Sequence, residues 1–290
     1  MAARRAGAPA PVERTVDAGA PARAPNVGAM VEIERPEPGL LVLTLARPAA
    51  RNSLSRSMLG ALQGAIETAS ADPGVRAVVI AANGPAFCAG HDLRELTEHR
   101  SDPDGGRGFT EALMRECSTF MQSLVRCPSP VIAAVEGVAT AAGCQLVATC
   151  DLAVASETAR FATPGVNIGL FCSTPMVALS RNVPRKRAME MLLLGEMISA
   201  GEAAAYGLVN RVVPAGTALD AALGLARTVA SKPPVTLAIG KEAFYRQAEM
   251  SLADAYDYAA GVMVENMMHA ESKEGIGAFL QKRTPDWNKR

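Results

Sequence analysis

Two stretches of this chain carry almost no side chains where a helix is about to begin. One reads NGPAFCAGHDL, residues 83–93, and the other EGVATAAGCQL, residues 136–146. In each, a strand-like apolar run ends, small residues follow, and a helix is expected, near Asp92 in the first and near Ala142 in the second. A helix N-terminus leaves N–H groups without intrahelical partners and carries partial positive charge. Small side chains let a ligand oxygen reach those groups. Two such N–H groups aimed at one point make an oxyanion hole, in which losing one donor costs about 2.7–4 kcal/mol. Ala and Gly also permit close strand–helix packing, so either loop alone supports both readings. Inside the second helix sits Gln145, a lone amide in an apolar run, with Cys144 beside it and Cys150 and Asp151 at the far end.

The elements that must hold these loops can be read from pattern. From Val31 the chain reads as strand, Pro38-Gly39 turn, and a second strand, LLVLTLARP. Residues 55–70 read as a helix opened by Ser55, with Met58, Leu59, Leu62 and Ile66 on one face, stopped by Asp72-Pro73-Gly74. VRAVVIAA is a buried strand of β-branched residues, 108–126 a long helix ended by Cys127-Pro128, and PVIAAVEG and DLAVAS two further strands. This repeated order predicts an α/β fold, a spiral of strand–strand–helix units with buried strands. After residue 173 the pattern turns helical. Ser173-Thr174-Pro175 reads as a cap, Ser199-x-x-Glu202 as a capping box, and 217–230, 234–247, 251–270 and 272–281 as helices. The boundaries expected are a disordered tail over 1–28, an α/β core over 29–215, and a helical oligomerisation region over 216–290.

Composition narrows the function. Lys plus Arg equal Asp plus Glu at 29 each, so no net field recommends nucleic acid or an anionic membrane. No apolar run reaches the roughly 20 residues of a membrane helix. The six cysteines form no CxxC pair, and His91 alone stands near any of them, so buried free thiols are expected and no metal site. Residues 1–28 are rich in Ala, Pro, Arg and Gly and cannot bury enough surface to fold. A mitochondrial targeting peptide is the alternative, weakened by Glu13, Asp17 and the prolines. A cytoplasmic location is therefore expected, with the mitochondrial matrix as its alternative.

Several motifs, in order and spacing, resemble the crotonase superfamily of enoyl-CoA hydratases and isomerases. They are RPAARNSLS, GPAFCAGHDLREL, VIAAVEGVATAAGCQLVATCDLAVAS, FATPGVNIGL, ISAGEAAAYGLVNRVV and GIGAFLQKRTPDW. The resemblance spans about 31–287. It implies a crotonase (ClpP-like) spiral, a homotrimer or dimer of trimers, and an acyl-CoA ligand, so that CoA arrives with the substrate and no separate cofactor is needed. By the same resemblance the oxyanion N–H groups fall on His91 and Ala142. The CoA-binding positions fall on Arg51, Asn52, Ser53, Leu54, Ala89, His91, Asp92, Leu93 and Arg94, with Phe279 and Lys282 near a neighbouring subunit's CoA.

The same resemblance exposes a gap. Hydratases of this family use two glutamates, which fall here on Gln145 and Gly165. A Gln can hold a water but cannot exchange a proton with it near neutral pH. Enolate stabilisation by backbone is expected to survive, and proton transfer by the usual route is not. Cys172, Ser173 and Glu136 are the candidate substitutes, each with a structural alternative: a small apolar filler for Cys172, an ion pair or solvent for Glu136. Asp92 is expected to cap the helix at Leu93. A positive φ at Gly165 would be one obstacle to restoring a carboxylate there.

Overall fold

The computed structural model describes residues 30–287. The tail expected over 1–28 lies outside the described residues. The chain opens with β1 (Val31–Glu34), β2 (Leu40–Leu45) and α1 (Arg56–Ala71). The side chain of Ser55 accepts the Met58 N–H and so caps α1, as its sequence position predicts. Then come β3 (Ala77–Ala82), β4 (Ala86–Cys88), α2 (Leu93–Glu98) and α3 (Arg107–Arg126). Next are β5 (Val131–Val135), β6 (Val138–Thr140) and α4 (Ala142–Thr149), followed by β7 (Leu152–Ser156) and β8 (Arg160–Ala162).

The units are a spiral in which the first strand of each joins one sheet and the second joins another. The large sheet runs β1-β2-β3-β5-β7 and ends on β10 (Arg211–Val213). It is parallel except for β1 against β2. The small sheet runs β4-β6-β8 and ends on β9 (Ile198–Ser199). Sequence pattern missed β4, β6, β8 and β9, because two- or three-residue strands are too short to show a period.

Successive residues of β2, β3 and β5 point to opposite faces of the large sheet. Leu41, Leu43, Val78, Ile80, Val131 and Ala133 enter the main core with α1 and α3. Leu40, Val42, Ala77, Val79, Ile132 and Ala134 face the other way.

Between β8 and β10 lie α5 (Ser173–Asn182), α6 (Arg185–Leu194) and α7 (Ala200–Ala205), the last opened by the Ser199/Glu202 capping box. Ser173 does not cap α5. Cys172 takes that position, and neither side chain receives a capping hydrogen bond. The tail end of the chain folds as α8 (Ala218–Ala230), α9 (Pro234–Gln247), α10 (Leu252–Met268) and α11 (Ala270–Leu280).

Helix α8 falls in the region expected to serve oligomerisation, yet it belongs to the core. Ala218, Ala222 and Ala226, spaced four apart, close the second face of the large sheet. Helix α9 starts the layer beyond it. That helix is pinned to the core by a half-buried polar knot. Lys241 Nζ lies 2.7 Å from Asp151 Oδ2 and donates to the Leu124 carbonyl at 2.9 Å. Tyr245 Oη donates to Asp151 Oδ1 at 2.9 Å, and the Val131 N–H to Oδ2 at 2.7 Å. All six cysteines are free and buried. Among the described residues no helix is long and apolar enough to cross a membrane.

Candidate functional site

The two small-residue loops meet. Gly90 has φ +95°, and a β-carbon there would lie 2.9 Å from the Ala141 β-carbon and 3.3 Å from the Ala142 nitrogen. Only glycine fits both that backbone and that gap. Thr140 Oγ1 ties the loops further by donating to the Ala89 carbonyl at 3.2 Å. Gly143 serves the same closeness, since a β-carbon on it would fall 2.0 Å from the Cys88 carbonyl oxygen.

Both N–H groups are left open by the backbone pattern. His91 forms a parallel bridge with Leu54, whose N–H donates to the Gly90 carbonyl at 2.8 Å and whose carbonyl accepts the Asp92 N–H at 3.3 Å. That pattern uses the groups on either side of His91 and turns its own N–H away from Leu54. Ala142 is the first residue of α4, so its N–H has no intrahelical partner. Ala141, just before it, holds φ +51°, ψ −119°, a backbone state that residues with a β-carbon rarely adopt.

The segments expected to hold CoA come together around this point. The Ala89 N–H donates to the Arg51 carbonyl at 3.1 Å, and Leu54 pairs with His91. Arg51 and Asn52 both adopt left-handed backbone, with φ of 50° and 52°. The Asn52 side chain is fully buried and committed to protein. Its Nδ2 donates to the Asn83 and Ala86 carbonyls at 2.9 Å, and its Oδ1 accepts the Arg47 N–H at 2.8 Å. Asn52 thus shapes the loop, and its side chain is not free for a ligand. Ser53 Oγ donates to Asp92 Oδ2 at 3.1 Å, while Asp92 Oδ1 caps α2 through the Arg94 N–H at 3.1 Å. Arg51, Leu93 and Arg94 are exposed nearby. Phe279 is 82% exposed and Lys282 has φ 54°, at the end of the layer that α9 starts.

Gln145 sits one turn into α4, three residues after Ala142. Helical side chains lean toward the N-terminus, which sets the stem of Gln145 against the first turn of α4. It is only 6% exposed, and its Oε1 has no hydrogen-bond partner. Thr163, fully buried just past β8, likewise leaves Oγ1 without one. Both ring nitrogens of His91 are buried and unpartnered too. Burial pushes the His91 imidazole below its ordinary pKa. The nearby Leu54 backbone opposes that shift in part without meeting either ring nitrogen as a hydrogen bond.

The other glutamate position is closed. Gly165 lies in a 3-10 turn, Pro164–Ile168, and is not among the positive-φ residues, so conformation is not the obstacle. Space is. A β-carbon there would meet the Leu170 carbonyl oxygen at 2.7 Å and Cys172 Sγ at 2.9 Å. The turn is locked by the Leu170 N–H donating to the Gly165 carbonyl at 2.9 Å.

Of the three substitutes considered, two point elsewhere. Glu136 caps α8, accepting the Gly216 N–H at 3.0 Å and the Ala218 N–H at 2.6 Å. Its carboxylate, partly exposed, is held by backbone N–H groups. Ser173 is exposed, with Oγ on the Phe171 carbonyl at 3.3 Å. Cys172 is buried beside Gly165, and burial pushes its thiol up despite the Gly165 N–H.

Comparison with known proteins turns this geometry into a lineage. The family model for enoyl-CoA hydratase/isomerase matches residues 35–290. The chain belongs to the enoyl-CoA hydratase/isomerase family. The human mitochondrial enoyl-CoA hydratase domain-containing protein 3 is 46% identical over 250 residues, covering 86% of this chain and 81% of that protein. Its crystal structure superposes with a TM-score of 0.84 at 45% identity, covering 89% of this chain and 100% of that one. An enoyl-CoA hydratase from Mycobacterium smegmatis gives a TM-score of 0.85 at 50% identity, covering 90% and 100%. Within the crotonase superfamily this chain is similar to the domain-containing protein 3 branch, at 44–46% identity to its vertebrate members. The vertebrate members of that branch are mitochondrial by name, which overturns the cytoplasmic expectation.

Proposed function

We propose that this protein binds acyl-CoA thioesters, holding the thioester carbonyl on the N–H groups of His91 and Ala142, and that it does not hydrate them by the two-carboxylate route. The observation that carries this reading is the pairing of an open backbone clamp with a closed acid/base position. A fully formed hydratase needs carboxylates to activate water and protonate the α-carbon. Gln145 offers an amide in place of one, and the Leu170 carbonyl and Cys172 Sγ fill the place of the other. Each general acid/base group contributes about a hundred- to ten-thousand-fold. Losing two gives a deficit on the order of four to eight powers of ten. The lower end is favoured, because groups acting together rarely multiply fully. The test is calorimetry with acetyl-, crotonyl- and a long-chain acyl-CoA, paired with a crotonyl-CoA hydration assay. Binding without turnover is expected.

A second reading, a redirected enzyme, has one supporting observation. Cys172 Sγ stands where a carboxylate stem at 165 would begin. A neutral thiol can give a proton to an enolate, and burial keeps this one protonated. Any slow turnover of an enoyl or related thioester should then vanish in Cys172→Ala.

Assembly as a trimer or dimer of trimers is part of the proposal. It is supported by the large apolar side chains that α10 and α11 leave uncovered, among them Leu252, Met263, Phe279 and Leu280.

A further inference from the structure

Ala141 stands between the two N–H donors and is bound on every side. Its N–H donates to the Ala162 carbonyl at 2.9 Å, which fixes it to β8. Its carbonyl accepts the Gln145 N–H at 3.0 Å, which fixes it to the first turn of α4. Its methyl packs on Gly90, so closely that no β-carbon fits on the other side. Gly90 is held in turn by the Leu54 N–H at 2.8 Å. The donors His91 and Ala142 each follow directly after one member of this pair.

The backbone at Ala141 has φ +51° and ψ −119°. That lies outside the broad wells of an L-residue and outside the left-handed helical well. A glycine would take it without steric penalty. The chain nevertheless places a methyl there, against a glycine whose own missing β-carbon makes room for it. Strain of this kind persists only where the surroundings over-determine it, and it gathers at functional sites.

We infer that Ala141 is a positioning residue: its methyl, wedged on Gly90, sets the separation of the His91 and Ala142 N–H groups. Without it the two loops can close on each other. An oxyanion clamp acts only when both donors lie near 2.7–3.1 Å from the oxygen, so a small change in spacing weakens it sharply. This inference rests on the proposed binding of a thioester carbonyl, and its test separates the two.

The test uses cinnamoyl-CoA, a conjugated thioester whose absorption moves to longer wavelength when its carbonyl is polarised, with CoA itself as the carbonyl-free control. Wild type should show the red shift. Ala141→Gly should melt no lower than wild type, since the strain is relieved. It should lose at least half of the red shift and bind cinnamoyl-CoA about tenfold more weakly, with affinity for CoA unchanged. Ala141→Ser keeps the β-carbon and should retain the shift. A full red shift in Ala141→Gly, or an equal loss in Ala141→Ser, would overturn the spacer. So would an Ala141→Gly protein that melts well below wild type. Wild-type binding without a red shift would overturn the carbonyl clamp and the spacer while leaving CoA recognition standing. No binding of either compound to wild type would defeat the proposed function itself, and the spacer with it.

Discussion

Gly165 and Gln145 show how differently two missing glutamates can be missing. Gln145 keeps the shape of a glutamate, buried with its Oε1 unpartnered, so Gln145→Glu is a change of one atom. Gly165 has no such latitude, because backbone fills the space its side chain would need. Gly165→Ala should cost about 1–3 kcal/mol as an overpacked substitution. Gly165→Glu should cost at least as much. Gln145→Glu plus Gly165→Glu should therefore lower the urea midpoint and fail to restore crotonyl-CoA hydration. A hundred-fold gain from that pair would mean the 170–172 segment moves aside freely. His91 supplies a pH prediction. Its folded pKa lies below the ordinary value, so the unfolded chain takes up the proton first. Stability should be insensitive to this group above about pH 7. It should fall as the pH drops through about 6.5, by at most one proton's worth, about 1.4 kcal/mol per unit. His91→Asn should show a shallower acid loss in denaturant titrations at pH 7.5, 6.5 and 5.5. An identical slope in both would remove His91 from the account.

At the scale of elements, most of what positions the site could be read from the sequence. The strand end at Ala82 and the helix starts at Leu93 and Ala142 follow from small residues after apolar runs, whereas the choice of His91 and Ala142 as donors came from the family resemblance. What stayed hidden was contact between distant segments. Nothing local reveals that Asn52 spends its side chain on the carbonyls of Asn83 and Ala86, or that Glu136 reaches across to cap α8. The strained turn at Ala141 is equally invisible, because alanine signals no special backbone. Asp151 follows directly after α4 and its cap Cys150 in the sequence, but its partners Lys241 and Tyr245 lie about ninety residues on. That knot gives a test of how α9 is held. Lys241→Met should destabilise by about 3 kcal/mol, since it strands a carboxylate and the Leu124 carbonyl at once. Asp151→Asn combined with Lys241→Met should recover part of the loss. A loss under 0.5 kcal/mol for Lys241→Met would place the knot on the solvent side of the energetics.

For the whole molecule, large apolar side chains stay uncovered in two regions, around α5 and α6 (Ile168, Leu170, Leu193 and Met197 among them) and again after α8. Helices α9 and α10 bury no residue fully, and α11 buries only Ala278. Yet Leu252 is 77% exposed, and Met263, Val264, Met268, Phe279 and Leu280 are exposed with it. Apolar surface of that extent calls for a partner. Light scattering at micromolar concentration should report a trimer or hexamer, and Phe279→Asp with Leu280→Asp should shift it toward smaller species. A monomer for the unaltered chain would contradict the assembly. The central claim is a clamp for thioesters without the acid/base pair of a hydratase, and one experiment addresses both halves. Crotonyl-CoA is mixed with excess protein, and the enoyl absorbance is followed from binding through a single turnover. The account predicts saturable binding and an enoyl signal that decays at least ten-thousand-fold more slowly than with a two-glutamate relative run alongside. Decay at the relative's rate would show that another group in this site carries the proton, and the claim would fall.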